Sequence, residues 1–309
     1  MKILTMRELN VDSKGLSVIE SMSAANPVSL FLDETDKYVN GFISWHWHPQ
    51  LEFVLALTPI EIHLEERVIS LAPHEALFIN TGQLHMIRSP DGQSGATAYI
   101  LLFSPEYIAA ENSLVYEKYV RPIHEHNMLP YAIFSPSEDW HNELITGLEL
   151  ITREYENDDA GCELALRNHI CNMWLILVRN LYKLPLCPAS SQKRQNQFRL
   201  KQMLSFIRQN YMNKITLDDI AHSALISKSE CLRCFRSRFD MTPIQYLIRC
   251  RLELACHLLR SGNMNIKEIS ARCGFEDASY FGRIFRLHFG ITPLSYRRGT
   301  EPKIIANPL

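Results

Sequence analysis

The sequence predicts a two-domain α+β protein, in which an N-terminal β-barrel and its following helices precede a C-terminal all-α domain. Three observations support this prediction. Short apolar runs separated by proline and glycine fill much of the first 135 residues, a helical period replaces them from about residue 138, and one motif occurs twice in the last hundred residues. Many short strands at such spacing favour a barrel or a sandwich.

The predicted barrel covers about residues 20–135. Its apolar runs, each long enough for one strand, lie at 44–48, 51–57, 60–64, 67–70, 76–79 and 97–103. Proline and glycine between these runs supply the turns. From 138 to 183 the apolar residues recur every three or four positions, which predicts two helices. These helices could cover the open side of the barrel or pair with a second subunit.

A polar, proline-containing segment without a period lies at 184–197, and we predict that it is an interdomain linker. The first domain would then span 1–183 and the second 198–300. Charge divides the chain at the same place, since residues 198–300 carry a net charge of +9 and the remainder carries −11. A basic domain behind an acidic one is typical of a nucleic-acid binder joined to another module.

The repeated motif is Phe-x3-Phe-x2-Thr-Pro-x2-Tyr, which begins at Phe235 and again, fifty residues later, at Phe285. Each copy follows a short helix and a turn, so we predict two helix-turn-helix units at about 216–238 and 266–288. The second helix of such a unit enters the major groove of DNA. A predicted helix at 243–261, roughly 27 Å long, could hold two such helices about one DNA turn apart.

The predicted DNA contacts are the side chains of the two second helices that do not face inward. They are Lys228, Ser229, Leu232, Arg233 and Arg236 in the first unit, and Ala278, Ser279, Gly282, Arg283 and Arg286 in the second. Arg233 and Arg283 are the best candidates, because a guanidinium can grip guanine or clamp a phosphate. The alternative is an arginine on a solvated face. Cys231-x2-Cys234 has metal or redox spacing, but within a helix it predicts inward-facing thiols.

Segments 215–221, 249–255 and 266–275, together with Phe289-Gly290-x-Thr-Pro293, resemble the AraC/XylS family of bacterial transcription regulators. The resemblance covers about the last hundred residues. It implies a homodimer that binds double-stranded promoter DNA and contacts RNA polymerase, usually to activate catabolic or transport genes. It also implies control by a small-molecule effector, for which sugars are an example, bound in the N-terminal domain.

Two residues of the first unit depart from the family pattern. Leu225 stands where the family has a turn glycine, which the second unit keeps as Gly274, and Asp240 replaces the glycine matched by Gly290. If Leu225 adopts the left-handed conformation, it carries a strain of about 1–2 kcal/mol. Asp240 tolerates this conformation better.

Four N-terminal residues, His46, His48, Glu52 and His85, have the side-chain types of a metal site. Three imidazoles and a carboxylate would suit iron, manganese, nickel or zinc. Their spacing resembles that of the cupin barrel, in whose enzymes such residues bind metal, and more weakly that of the sensing domain of AraC relatives, which often keep the histidines without a metal. We therefore predict that the four residues line an effector pocket, with no cofactor. A metal site and purely structural histidines are the alternatives.

The local geometry around this motif leaves one point open. Alternation along a strand would place His46 and His48 on one face, with Trp45 and Trp47 on the other. Pro49 could end that strand and direct Glu52 elsewhere.

The sequence as a whole favours an effector-controlled, sequence-specific transcription regulator over an enzyme. The alternatives are a cupin metal-dependent enzyme tethered to DNA and a constitutive architectural DNA binder. Charged residues at Arg7, Glu8 and Asp12 interrupt any apolar core of a signal peptide, and no apolar run reaches membrane-spanning length. We therefore expect a cytoplasmic protein that does not associate with a membrane.

Overall fold

The chain folds into two compact units, which divide between residues 190 and 191. The structure is a computed structural model, which describes residues 3–4, 10–11, 17–18, 22–23, 26–38, 41–64, 67–90, 95–124, 129–157, 159–184, 191–261 and 264–299. The first unit is rich in β-strands and the second consists of helices. The predicted two-domain α+β class is confirmed.

The strands of the N-terminal unit are short, as the punctuation by proline and glycine predicts. In chain order they are β1 (Asn10–Val11), β2 (Ser17–Val18), β3 (Val28–Glu34), β4 (Phe42–His46), β5 (Leu51–Ala56), β6 (Ile60–Leu64), β7 (Arg67–Leu71), β8 (Ala76–Ile79), β9 (His85–Arg88), β10 (Thr97–Phe103) and β11 (Tyr131–Phe134). All six predicted runs contain a strand, and β3, β9 and β11 are additional members of the sheets.

Nine of these strands form two antiparallel sheets, and β1 pairs with β2. The larger sheet has the order β11-β8-β5-β10-β3, and the smaller has the order β4-β9-β6-β7. Strand β4 ends at His46, two residues earlier than predicted, and its pairing with β9 shifts register between Ile43 and His46. His48 therefore lies in the connection to β5, not in the strand.

The five-stranded sheet is buried on both faces. Side chains such as Phe53 and Phe78 face one core, while Val54 and Leu77, their neighbours in sequence, belong to a second core shared with the four-stranded sheet. This alternation is the two-residue period of a strand. The two sheets therefore pack face to face. Glu52 lies two residues before Val54 in β5, so both side chains belong to the same face of the strand.

Two long helices cover the outer face of the larger sheet. They are α2 (Asp139–Asn157) and α3 (Cys162–Asn180), which follow the short helix α1 (Arg121–His124). Trp174 of α3 contacts Phe78 of β8, with their ring centroids 6.0 Å apart. This covering differs from the predicted one, which was of the open side of a barrel, and pairing with a second subunit stays a prediction. The face that they cover is the outside of a sheet.

The C-terminal unit contains seven helices in its described residues. They are α4 (Ser191–Asn210), α5 (Leu217–Ser223), α6 (Lys228–Phe239), α7 (Pro243–Ser261), α8 (Ile266–Arg272), α9 (Ala278–Phe289) and α10 (Pro293–Arg297). Helix α4 begins at Ser191, so the prediction of a linker over 184–197 is wrong for residues 191–197. Gln, Lys and Arg have good helix propensity, and they extend the helix without an apolar face. Residues 185–190 lie outside the described residues.

The repeated motif forms the same aromatic cluster twice. Phe235, Phe239 and Tyr246 have ring centroids 5.3–6.0 Å apart. Their counterparts, fifty residues later, have ring centroids 4.6–6.0 Å apart. Each cluster packs the second helix of its unit against the helix that follows. The sequence repeat is therefore a repeat of hydrophobic packing.

Candidate functional site

Each helix-turn-helix unit begins with a capping box. Thr216 accepts a hydrogen bond from the backbone N–H of Asp219, and the Asp219 carboxylate accepts one from the backbone N–H of Thr216. Asn265 and Glu268 repeat this exchange at α8. Hydrogen bonds from the Thr216 hydroxyl and N–H lower the pKa of Asp219. Such caps fix the first turn of each helix.

The turn of the first unit carries backbone strain. Leu225 has φ 54°, and its side chain is 84% exposed, whereas the equivalent Gly274 has φ 82°. A Cβ at Gly274 would lie 2.7 Å from the carbonyl oxygen of Tyr211, so glycine is required there for space as well as for conformation. Asp240 ends α6 with φ 50°, as Gly290 ends α9 with φ 72°. Leu225 therefore adopts the left-handed conformation, which carries a strain of about 1–2 kcal/mol.

Helices α6 and α9 occupy the recognition position of the two units. Ser227 caps α6 by accepting a hydrogen bond from the N–H of Glu230, and Asp277 caps α9 by accepting from the N–H groups of Ser279 and Tyr280. These backbone donors lower the pKa of Asp277. Both helices have twelve residues, and the three positions buried in α6, at Cys231, Phe235 and Phe239, are also buried in α9. Helix α9 buries Ile284 and His288 in addition.

None of the ten predicted contact residues on α6 and α9 is fully buried. Seven of them are exposed and three, Leu232, Ala278 and Gly282, are half-buried. Ser229, Leu232, Arg233, Arg236 and Ser237 together line a surface depression of about 570 Å³ on α6. Cys231 is buried and Cys234 is half-buried, and both thiols are free. Burial raises the pKa of Cys231 to about 12, which agrees with the predicted inward-facing thiol.

The two candidate arginines have different neighbours. Arg233 donates from Nε and Nη2 to the two carboxylate oxygens of Glu230, at 2.8 and 2.5 Å. This contact lowers the pKa of Glu230. Arg283 instead lies over the ring of Tyr280, 5.4 Å from its centroid. Glu230 and Tyr280 are equivalent positions of the repeat, each three residues before its arginine.

The histidine motif comes together inside the N-terminal unit. One ligand atom from each of His46, His48, Glu52 and His85 lies within 4.8 Å of the others. Glu52 Oε2 is 2.7 Å from His48 Nε2 and 3.2 Å from His85 Nε2. All four side chains are 0–1% exposed. Pro49 therefore does not direct Glu52 away from the histidines, because the chain re-enters a strand at Leu51.

Backbone carbonyls hold the three imidazole rings. Nδ1 of His46 contacts the carbonyl of Ser44 at 2.8 Å, Nδ1 of His48 that of Gln50 at 3.2 Å, and Nδ1 of His85 that of Gln83 at 2.9 Å. A carbonyl can only accept, so each Nδ1 carries the proton. Each neutral ring then presents Nε2 as its acceptor, which is the nitrogen suited to a metal ligand.

Comparison with known proteins identifies the family. The family described as a helix-turn-helix domain matches residues 220–299. A protein of Bacillus subtilis (strain 168), named as the uncharacterized HTH-type transcriptional regulator YdeC, is 30% identical over 294 residues, which cover 95% of this chain and 99% of that protein. The chain belongs to the AraC/XylS family of transcription regulators.

Other proteins named as transcription regulators match the C-terminal part. The HTH-type transcriptional activator RhaS of Klebsiella pneumoniae (strain 342) is 32% identical over 106 residues, which cover 34% of this chain and 38% of that protein. The crystal structure of an AraC-type transcriptional regulator from Chromobacterium violaceum is 30% identical, with a TM-score of 0.32, and covers 34% of this chain and 94% of that chain. The RhaS match thus spans less than half of that protein.

Sequence reasoning about this AraC/XylS regulator missed the residues that contact its candidate arginines. Glu230 and Tyr280 were absent from the predicted DNA-contacting set, although they lie one helical turn before Arg233 and Arg283. The signal that could have found them is the i, i+3 spacing, which makes side chains neighbours on a helix.

Among the helices that the structure describes, none has both the length and the apolar character needed to span a membrane.

Proposed function

We propose that this protein activates transcription by binding promoter DNA as a homodimer under the control of a small-molecule effector. One observation carries the proposal: α6 and α9 are structurally equivalent helices that expose an arginine at the same position, Arg233 and Arg283. The net charge of +9 over residues 198–300 supports contact with the phosphate backbone. The name of the RhaS relatives supports activation, which requires contact with RNA polymerase.

The DNA interface would consist of the N-terminal parts of α6 and α9. We assign to it the set Lys228, Ser229, Leu232, Arg233, Arg236, Ala278, Ser279, Gly282, Arg283 and Arg286. Helix α7, of 19 residues, is about 28 Å long and connects the two units. That length suits two recognition helices in successive major grooves on one side of the duplex. Leu232 and Gly282 offer few polar groups, so we expect phosphate contacts and DNA shape to supply much of the affinity.

The experiment that tests this interface is genomic footprinting with the full-length protein, followed by affinity measurements on the sites found. Protection of two adjacent turns on one side of the duplex is expected. Arg233→Ala and Arg283→Ala should each weaken operator binding by about 1–3 kcal/mol. Arg153→Ala, an exposed arginine of α2, is the matched control. If both variants keep the affinity of the unsubstituted protein, these arginines do not contact the operator.

Control by an effector belongs to the N-terminal domain in this proposal, with His46, His48, Glu52 and His85 as its binding residues. The effector would shift the population of the DNA-competent state. Family resemblance makes sugars the first class to screen, with promoter affinity as the measurement. If no small molecule changes the affinity for the promoter, the result would favour a constitutive architectural DNA binder. Because the regulators are DNA binders, we place the protein in the cytoplasm, without a membrane partner.

The second candidate is a cupin-type metal enzyme tethered to DNA, and the buried histidine cluster is the observation that favours it. We propose that the protein is not an enzyme, because the relatives that it matches are named as transcription regulators. Turnover by the metal-loaded protein would establish the enzyme instead.

A further inference from the structure

The turn of the second helix-turn-helix unit packs against the segment that leads into the first. This segment, residues 211–215, connects α4 to α5. A Cβ at Gly274 would lie 2.7 Å from the carbonyl oxygen of Tyr211 and 2.8 Å from that of Met212, so the backbone of the second turn lies directly on this segment. Leu225, the equivalent of Gly274, is 84% exposed. The two turns therefore differ in sequence because the second is packed against backbone, whereas the first is open to solvent.

Arg251 of α7 connects the same two parts of the domain. Its Nε donates to the carbonyl of Tyr211 at 2.7 Å, and its Nη2 donates to that of Asn213 at 2.8 Å. The guanidinium also lies over the ring of Phe275, the residue after Gly274, 5.6 Å from its centroid. Hydrogen bonds from a charged donor are stronger than neutral ones, and a cation is attracted to the face of an aromatic ring. One side chain thus contacts both the segment before the first unit and the turn of the second.

An ion pair lies beside this contact. Nζ of Lys214 is 2.9 Å from Oε1 of Glu276, the residue after Phe275. The two side chains are 79% and 74% exposed, so water and salt screen their attraction. Arg251 is half-buried, and we therefore expect it to be the stronger connection between the two units.

We propose that Arg251 is the positioning residue that fixes the separation and the rotation between the two recognition helices, so that the domain reads two half-sites as one rigid body. A half-site is the set of base pairs that one recognition helix contacts. Two inserted base pairs move a half-site by about 7 Å along the duplex and rotate it by about 70°. Arg251 therefore selects operators by their spacing, without contact with a base. This inference rests on the proposed function, in which both α6 and α9 contact DNA, and deepens it.

The test uses the full-length protein and three duplexes derived from the operator that footprinting finds. One duplex keeps the native spacing of the half-sites, one has two base pairs inserted between them, and one keeps only the half-site of the first unit. The unsubstituted protein should prefer the native spacing and bind the inserted duplex as weakly as the single half-site.

The decisive variant is Arg251→Met, which keeps an apolar side chain against Phe275 and removes the donors. Its preference for the native over the inserted spacing should fall by about 3- to 10-fold, because two loosely connected units lose their preorganisation for one separation. Its affinity for the single half-site should stay unchanged, since only one recognition helix binds there.

The spacing preference separates a positioning role from a merely structural one. Arg251→Lys keeps the charge and can donate to one carbonyl, so it should retain part of the preference. Arg260→Met is the matched control, because Arg260 is an exposed arginine of α7 that lies over the ring of Tyr296, 5.1 Å from its centroid. Loss of that contact should change the affinity for all three duplexes alike and leave the preference intact.

A second measurement tests the connection without DNA. Spin labels are attached through a keto amino acid at positions 237 and 287, so that the native cysteines stay unlabelled. Ser237 and Leu287 are exposed, equivalent residues of α6 and α9. The distribution of distances between the labels, from double electron–electron resonance, should be narrow in the unsubstituted protein and broader in Arg251→Met.

Two results would overturn the inference. One is Arg251→Met protein that keeps the spacing preference of the unsubstituted protein, and the other is an unchanged width of the distance distribution. Operator binding that depends on Arg233 and Arg283 but not on spacing would keep the proposed function and reject this inference. If the full-length protein bound no operator, the proposed function would fail, and the distance distribution would still decide whether Arg251 holds the two helices in place.

Discussion

Arg233 donates two hydrogen bonds to Glu230, the residue one helical turn before it on the recognition helix of the first unit. The equivalent pair in the second unit is Arg283 and Tyr280, where the contact is with an aromatic ring. The two arginines are therefore positioned by different chemistry. A carboxylate neutralises the first guanidinium, whereas the ring orients the second and leaves its charge available to DNA.

Glu230→Gln should increase non-specific DNA affinity several-fold at low salt. Loss of the carboxylate leaves Arg233 able to contact a phosphate, so log K against log salt should steepen by about 0.9, the value for one added phosphate contact. Fluorescence anisotropy on a duplex without an operator, at several salt concentrations, measures both quantities. Glu111→Gln, an exposed glutamate of the N-terminal unit, is the control. An unchanged slope would show that Glu230 does not compete with DNA.

Leu225→Gly should stabilise the C-terminal domain. Glycine relieves a strain of about 1–2 kcal/mol at φ 54°, and part of this gain is offset because glycine loses more conformational freedom on folding. The urea midpoint of the full-length protein, followed through its C-terminal transition, should rise. Asp240→Gly should give a smaller rise, because aspartate tolerates this conformation better.

The reverse substitution at the matching turn provides the contrast. Gly274→Ala should destabilise the domain, because its Cβ would lie 2.7 Å from the carbonyl oxygen of Tyr211 at a φ of 82°. A midpoint for Leu225→Gly that stays constant or falls would reject the assignment of strain to this turn.

Tyr246→Phe should destabilise the C-terminal domain by about 1.5–3 kcal/mol, the range for a hydrogen bond to a charged group. The buried Tyr246 hydroxyl accepts a 3.0 Å hydrogen bond from Nε of Arg208, which belongs to α4. Urea unfolding measures the change. Tyr296→Phe is the matched control, because Arg260 lies over the Tyr296 ring and not at its hydroxyl, and a smaller loss is expected there. Equal losses of unfolding free energy in the two variants would show that the contact with Arg208 does not stabilise the domain.

The stability of the C-terminal domain should fall as the pH is lowered from about 6.5 toward 4.5. Burial, with a further contribution from Arg249, lowers the pKa of His288 from its ordinary 6.5 to about 4. Between these two pH values the unfolded chain binds a proton at His288 and the folded chain does not. The contribution of His288 to the free energy of unfolding is therefore fully present above pH 6.5 and declines below it.

His288→Leu should flatten this pH dependence, as measured by urea midpoints at half-unit steps of pH. His222→Leu, an exposed histidine at the end of α5, should leave it unchanged. The measurement stops at pH 4.5, because carboxylates of the unfolded chain bind protons near and below that value. An equal slope in both variants would contradict a neutral, buried His288.

Sequence alone determined the features of this protein that depend on local spacing. The fifty-residue repeat fixed both helix-turn-helix units, because Phe235 and Phe285 occupy the same helical face. Comparison of the two units likewise identified Leu225 as the counterpart of a turn glycine, Gly274. These features follow from contacts within a few residues, for which the periods of helix and strand are sufficient.

Only the tertiary structure decided which distant residues meet. Glu52 joins the histidines because β5 faces the four-stranded sheet at that position, and no local rule specifies how two sheets pack. Strands β3, β9 and β11 were not among the predicted runs, and each is placed by pairing with neighbouring strands. Helix α4 extends through polar residues 191–197 without an apolar period to reveal it. Long-range pairing and packing set these features, and a single sequence encodes them only through the whole fold.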